Sequence, residues 1–197
     1  KKVLYVGFFA FILGNFSILA NILFASFAEL GVKAGSSTLT AGDLMRPGYI
    51  AGVGFEAAFP LLADIGDMLG PISFFHNLVP IAVMLLAWLV ILIAFFVLAV
   101  QLFVTILEFK LTTLAGFILV PFALWNRTAF LAERVLGHVI TSGIKLMVLA
   151  IVIGIGSTLF TSITDAFGGP GDVTLAEVMG TVLASIVFLW LGIFAPG

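Results

Sequence analysis

Apolar stretches that are long enough to cross a membrane alternate with short polar segments along the chain. Residues 3–28 carry no charged side chain, and these about 26 residues exceed the roughly 20 that a transmembrane helix needs. Residues 137–163 and 174–195 form two further apolar stretches of comparable length. This pattern predicts an all-α, polytopic integral membrane protein with four to five transmembrane helices, one of them short or re-entrant, and an additional interfacial amphipathic helix.

The longest stretch without Asp, Glu, Lys or Arg covers residues 68–107, and Pro80 suits the first turn of a helix within it. A helix over residues 80–107 would be roughly 42 Å long at 1.5 Å per residue, so it must tilt or protrude. Small and polar residues recur every seven positions along it, with Thr105 on the same stripe: Ala87, Ala94, Gln101 and Glu108. Because polar groups that face lipid are costly, we expect this stripe to face protein or water.

Residues 111–125 form a shorter apolar segment that contains Pro121. As a helix of about 15 residues, this segment is too short for an ordinary span and predicts a short or re-entrant element. The sequence leaves open whether it crosses the membrane or re-enters.

Residues 29–79 are predicted to be a loop followed by the interfacial helix. Thr40 and Asp43 have the spacing of a capping box in which Asp replaces the usual Glu. Farther along, acidic Asp64 and Asp67 lie opposite an apolar helical face made of Leu61, Leu62, Ile65, Met68 and Leu69. This segregation is typical of a helix in the plane of the membrane interface. The predicted organisation is therefore a first transmembrane helix at 1–28, this connecting region at 29–79, and a membrane domain at 80–197.

Small and weakly polar residues recur in the first span at spacings that place them on one side of a helix. They are Gly7, Gly14, Ser17 and Asn21. Such a seam lets another helix approach closely, and the Asn21 amide can form a hydrogen bond across the contact. We interpret it as a helix-packing seam, with a pore lining as the alternative.

The composition excludes several classes of protein. The 197 residues are 62% hydrophobic and 9% charged, whereas soluble domains carry roughly 25% charged residues. With 8 Lys and Arg, 10 Asp and Glu and a net charge of −2, no basic block is available to bind nucleic acid tightly. No cysteine is present, so disulfides and thiolate metal sites are excluded. We expect no cofactor, no metal and no enzymatic activity, and we expect the chain, which begins at Lys1, to be a segment of a longer or processed protein.

The few charges that lie beside or inside apolar segments are the candidate structural or functional residues. They are Glu108, Lys110, Arg127, Glu133, Arg134 and Lys145. Lys145 lies about two turns into its span, so it either extends to the interface or pairs with Glu108 or Glu133. A structural ion pair is favoured over a transport step, because transporters usually place a carboxylate near the midplane and none is predicted there.

One short string of residues matches a motif found in a class of membrane enzymes. Gly169-Pro-Gly-Asp172 has the pattern of membrane aspartyl proteases, whose chemistry needs a second facing Asp. No Asp lies inside a predicted span, so we interpret the string as a loop turn.

The distribution of basic residues predicts which side of the membrane each loop occupies. Basic residues place 127–134 and the C-terminus in the cytoplasm and 164–173 outside, and leave the side of the N-terminus open.

Residues 108–127, EFKLTTLAGFILVPFALWNR, resemble the TrbL family of polytopic inner-membrane subunits of bacterial conjugation and type IV secretion machines. The resemblance continues through TAFLAERVLGH at residues 128–138 to Gly154-Ile-Gly156, and it is carried by residues 80–195. The family has no catalytic motif to transfer. The resemblance therefore implies a multi-pass protein of the bacterial inner (cytoplasmic) membrane.

The resemblance also implies a channel or platform subunit that assembles as a homo-oligomeric ring. Such a ring supports pilus biogenesis and translocation of a DNA–protein substrate. The implied partners are membrane lipid, the pilin, the stalk and the ATPase-containing inner-membrane complex. The alternative function is a secondary transporter or ion channel subunit, which the short Pro-containing segment and Lys145 favour.

Overall fold

The computed structural model describes residues 2–35, 39–70, 73–125, 127–166 and 174–195, and every regular element in these ranges is helical. The elements are α1 (Lys2–Gly14), α2 (Phe16–Ala34), α3 (Ala41–Leu44), α4 (Pro47–Met68), α5 (Ser73–His76), α6 (Leu78–Leu119), the 3-10 helix η1 (Val120–Leu124), α7 (Ala129–Ala166) and α8 (Leu175–Phe194). Within these ranges five helices are long and apolar enough to cross a membrane: α2, α4, α6 with η1, α7 and α8. The predicted all-α polytopic fold is confirmed.

Helix α6 is the central helix, on which α2, α4, α7 and α8 pack. Its 42 residues extend about 63 Å at 1.5 Å per residue, roughly twice the thickness of a hydrocarbon core. Helix α7 runs antiparallel along it, since Phe95 of α6 contacts Phe160 of α7 whereas Gly116 of α6 approaches Val135. Helices α4 and α8 pack on the first half of α6, and α2 packs on its second half.

Aromatic rings join three helices at the centre of the first half. The ring centroids of Phe95, Phe160 and Phe188 lie 5.1–5.8 Å apart, which is the separation of favourable aromatic pairs. All three side chains are buried. The ring of Phe188 lies directly on Gly156, where a larger residue would collide with it. A glycine in α7 thus lets α8 approach closely.

Gly31 in α2 and Gly35 directly after it provide another close helix contact. A methyl group at Gly31 would lie 2.5 Å from the Cβ of Ala150, and one at Gly35 would lie 3.1 Å from the Cα of Gly154. Small residues at four-residue spacing let helix backbones meet in this way. Sequence analysis missed this contact, because it assigned the glycines to the loop at 29–79.

The first predicted span differs in both bounds. Residues 3–28 are not one helix: α1 ends at Gly14, and Asn15, with φ −117° and ψ 14°, separates it from α2. The side-chain amide of Asn15 donates to the carbonyl of Phe11 at 3.1 Å, and the Asn15 backbone N–H donates to the same carbonyl at 3.1 Å. Helix α2 then continues to Ala34, because its last turns are buried against α7.

The predicted interfacial helix forms part of α4, which packs on α6. Helix α4 does contain the segregated faces, and Leu61, Ile65 and Met68 are buried. Those side chains face α6, however, and the short connection through α5 makes α4 and α6 an antiparallel hairpin in which Gly54 lies on Phe95. Helix α4 is also long and apolar enough to cross a membrane, so it is a candidate span, and its interfacial position stays a prediction.

Residues 111–125 are not a separate element. Helix α6 continues from Leu78 through Leu107 without interruption to Leu119 and tightens into η1, where Pro121 occupies the first turn. Helix α7 begins at Ala129 rather than near 137, whereas α8 agrees with the predicted 174–195. Whether the end of α6 lies within the bilayer stays a prediction.

The capping box before α3 is confirmed. The Thr40 hydroxyl accepts from the Asp43 amide at 3.3 Å, and the Thr40 amide donates to the Asp43 carboxylate at 2.8 Å. The hydrogen bonds from the Thr40 hydroxyl and amide lower the pKa of Asp43, with a smaller contribution from Arg46.

Candidate functional site

The predicted charges meet where α6 and α7 pack antiparallel. Glu108 projects from α6, and Ser142 and Lys145 project from α7 at a spacing of three residues, which places both on one side of the helix. The fully buried Ser142 hydroxyl donates to one Glu108 carboxylate oxygen at 3.3 Å. The Lys145 ammonium lies 3.8 Å from the other oxygen. Of the two partners that the sequence left open for Lys145, the structure selects Glu108.

The geometry of the pair limits its strength. A separation of 3.8 Å between Nζ and Oε2 is longer than a charge-assisted hydrogen bond, which is typically about 2.7–2.9 Å. The side chains keep 34% of the Lys145 surface and 40% of the Glu108 surface exposed. The pair therefore joins two helices at the edge of their contact, where it is partly accessible, rather than deep in the core.

The stripe that leads along α6 to Glu108 faces protein, as predicted. Ala87 and Ala94 are fully buried, and Thr105 is almost so. The side-chain oxygen of Gln101 is buried and has no hydrogen-bond partner within the described residues. The polar stripe therefore passes from the apolar centre of α6 to the ion pair.

The other predicted charges do not join this site. Lys110, Arg127, Glu133 and Arg134 are all exposed. Lys145–Glu108 is the one ion pair that the structure records across its described ranges. These four charges thus lie on the surface around the second half of α6 and the start of α7.

The predicted small-residue seam lies on the outer surface. Gly7, Gly14, Ser17 and Asn21 are all exposed, and a methyl group at either glycine would contact nothing within 4 Å. The seam therefore plays no part in packing within the chain.

Sequence analysis missed a second polar feature, a crevice of about 580 Å³ between α4 and α7. Its polar lining comprises Tyr49, Glu56, Ser157, Thr158, Thr161 and Ser162. The four hydroxyls at 157, 158, 161 and 162 have helical spacing and could have indicated a polar face on α7. Glu56 carried no such signal, because its helix was predicted to lie at the interface.

Neither of these features gathers several His, Cys, Asp or Glu side chains at one place in the described ranges. No group of three or more His, Cys, Asp or Glu side chains that could hold a metal occurs in the part of the chain that the structure describes. The string ending at Asp172, which has the aspartyl protease pattern, lies outside the described residues.

Comparison with known proteins assigns the family. No curated protein matches the sequence, and no solved structure matches it. The model of the TrbL/VirB6 plasmid conjugal transfer protein family matches residues 1–195, well beyond the 80–195 portion on which the resemblance rested. This family is a structural subunit of conjugal transfer rather than a known enzyme family. The five span-capable helices agree with that match, and the chain therefore belongs to the TrbL/VirB6 family, as a multi-pass membrane subunit of a conjugal transfer or type IV secretion system.

Proposed function

We propose that this chain is a channel or platform subunit in the bacterial inner membrane, where it assembles as a homo-oligomeric ring. The ring supports pilus biogenesis and the passage of a DNA–protein substrate. Its partners are membrane lipid, the pilin, the stalk and the ATPase-containing inner-membrane complex. The family match over residues 1–195 supports a transfer-system subunit.

The observation that carries the ring is the outward seam on α1 and α2. Gly7 and Gly14 leave an open, shallow surface that no element of the described chain covers. Large apolar side chains flank it, including Phe8 and Phe11, which are 59% and 61% exposed. In lipid, small residues favour helix association because they allow close backbone contact. A second copy of the chain is the partner that closes a ring.

In this proposal the pair of Glu108 and Lys145 is structural. It ties the second half of α6 to α7 and so supports η1, which also packs against α7 and α1. The exposed Lys110, Arg127, Glu133 and Arg134 are then available to partner subunits. With few basic residues, the segment does not hold nucleic acid tightly, and a substrate passes it through weak contacts.

The seam is tested by Gly7→Leu, with Gly137→Leu as the matched control. Both glycines are exposed in helices and contact nothing at the Cβ position, but only Gly7 belongs to the seam. Native mass spectrometry in nanodiscs should show an oligomer for wild type and Gly137→Leu and smaller species for Gly7→Leu. Conjugation frequency in a complemented deletion strain should fall together with the oligomer, whose association constant falls by about tenfold for each 1.4 kcal/mol of lost association. A wild-type protein that stays monomeric in nanodiscs contradicts the ring.

The alternative is a secondary transporter or ion channel subunit, and the polar crevice beside Glu56 favours it. Solute or ion flux through liposomes that contain the purified chain tests this alternative. Absence of flux, or flux unaffected by Glu108→Gln and Lys145→Met, excludes the role in transport that the sequence suggested for those two residues.

A further inference from the structure

The depth of Glu56 in the bilayer follows from the α4–α6 hairpin. Gly54 lies on Phe95, and the two helices run antiparallel, so Glu56 lies at about the level of residue 93 of α6. The uncharged part of α6 runs from Leu78 to Leu107, and its middle is also near residue 93. Glu56 thus lies at the centre of the apolar band, where the sequence alone predicted no carboxylate.

A carboxylate at that depth does not face lipid without a large cost. Acidic residues at the centre of a bilayer are rare for this reason and usually face protein or a water-filled cavity. The Glu56 side chain is exposed rather than buried in the protein core, and it lines the crevice of about 580 Å³. At roughly 30 Å³ per molecule, that volume accommodates many waters. The crevice therefore provides a polar environment for the carboxylate inside the apolar band.

The hydroxyl groups across the crevice are oriented as acceptors. Thr158 donates its proton to the carbonyl of Ile155 at 3.0 Å, and Ser162 donates to the carbonyl of Thr158 at 2.9 Å. Ser157 likewise donates to Gly154 at 2.9 Å. Because each hydroxyl proton points back to its own helix, oxygen lone pairs remain for the crevice. This wall of α7 offers acceptors to a ligand.

The crevice also lacks a positive charge. Lys145–Glu108 is the single ion pair recorded over the described ranges, so no described Lys or Arg lies within ion-pair distance of Glu56. One carboxylate and several neutral oxygens form a hard, oxygen-only ligand set. A single positive charge balances it, whereas a divalent ion would leave an uncompensated charge in a low-dielectric region.

We propose that the α4–α7 crevice binds a hard monovalent cation such as Na⁺. The Glu56 carboxylate is its anionic ligand, and the hydroxyl oxygens of Thr158 and Ser162 are neutral ligands. Partly hydrated binding fits the volume of the crevice. The site does not depend on ring assembly or on conjugal transfer, so it can fail while the proposed function holds, and the reverse.

Carboxyl labelling in nanodiscs tests the site directly. A water-soluble carbodiimide modifies carboxyl groups that water can reach, and mass spectrometry locates the adduct. We expect labelling of Glu56 in choline chloride, and about tenfold slower labelling when Na⁺, K⁺ or Li⁺ is present at ten times its dissociation constant. Labelling that none of the three cations slows, or an absence of label on Glu56, overturns the proposal.

Variants separate ligation from folding. Thermal unfolding of the wild type should shift upward in the protecting cation relative to choline chloride at equal ionic strength. Glu56→Gln should lose this shift, whereas Asp67→Asn, which removes an exposed carboxylate near the end of the same helix, should keep it. Thr158→Val keeps Glu56 reactive but removes one ligand oxygen, so cation protection should weaken severalfold. Unchanged protection in Thr158→Val, or a retained shift in Glu56→Gln, contradicts the assigned ligands.

Discussion

Gly31 is the position where the packing of α2 on α7 is most sensitive to a single added atom. A methyl group there would lie 2.5 Å from the Ala150 Cβ and 2.6 Å from the Met147 carbonyl oxygen. Both distances are well inside van der Waals contact, and one of the obstructing atoms belongs to the backbone. Gly31→Ala therefore cannot be accommodated by a change of rotamer, and α2 must move away from α7.

The expected change in the free energy of unfolding of Gly31→Ala is the sum of two opposing contributions. Overpacking of a well-packed contact costs about 1–3 kcal/mol. Replacing a helical glycine by alanine returns roughly 0.8–1.0 kcal/mol of helix propensity. Gly52 in α4 is an open helical glycine with nothing within 4 Å of its Cβ position, so Gly52→Ala measures the second contribution alone. The difference between the two variants should then be about 1–3 kcal/mol, with Gly31→Ala the less stable.

The assay is reversible unfolding of the purified chain by sodium dodecyl sulfate in mixed micelles, followed by tryptophan fluorescence. Ala150→Gly removes one of the two obstructing atoms, so in the Gly31→Ala background it should recover part of the loss. A Gly31→Ala protein that is as stable as Gly52→Ala would refute the close contact between α2 and α7.

Three other perturbations have defined outcomes. Because the pair is partly exposed, a double-mutant cycle with Glu108→Gln and Lys145→Met should give a coupling of about 0.5–1 kcal/mol in the same unfolding assay, and zero coupling would show that the two residues do not interact. The side chain introduced by Gly156→Leu would collide with the ring of Phe188 and push α8 away from α7. A cysteine crosslink between α7 and α8 should therefore form more slowly than in wild type, and an unchanged rate argues against that contact. The lowered pKa of Asp43 means that its cap stabilises α3 above the unfolded pKa of about 3.9 and that this stability is lost as pH falls through the folded pKa. The protection factors of the α3 amides, which correct for the pH dependence of intrinsic exchange, should accordingly fall on acidification in wild type but not in Asp43→Asn, and equal pH profiles would contradict the capping role.

Local patterns were enough to predict the helical class, several spans and the cap. Long uncharged runs determine where helices cross a bilayer, because the cost of burying a charge in hydrocarbon exceeds other local preferences. The same reasoning predicted that the stripe ending at Glu108 faces protein or water rather than lipid, and Ala87 and Ala94 are buried in protein. The capping box depends only on residues three apart, so the sequence contains all of its information.

The identity of partners was beyond local patterns. Lys145 required a carboxylate as its partner. Glu108 is distant in the sequence, 34 positions before Ser142, which it also contacts, and only the antiparallel register of α6 and α7 selects Glu108 over Glu133. Gly31 is equally uninformative alone, since a helical glycine gains meaning only when a second backbone approaches it.

Helix α4 shows most clearly which features are determined by the sequence and which by the tertiary structure. Its amphipathic pattern determined which side is apolar and which side carries acid, and both assignments hold. The pattern did not determine what each side meets, because an interfacial helix between lipid and water and a spanning helix between protein and a polar crevice have the same periodicity. The hairpin with α6 favours the second arrangement, because it pairs α4 lengthwise with a helix that is long and apolar enough to span a membrane, and the proposed depth of Glu56 follows from that pairing. Periodicity is a property of one helix, whereas depth and partner are properties of two.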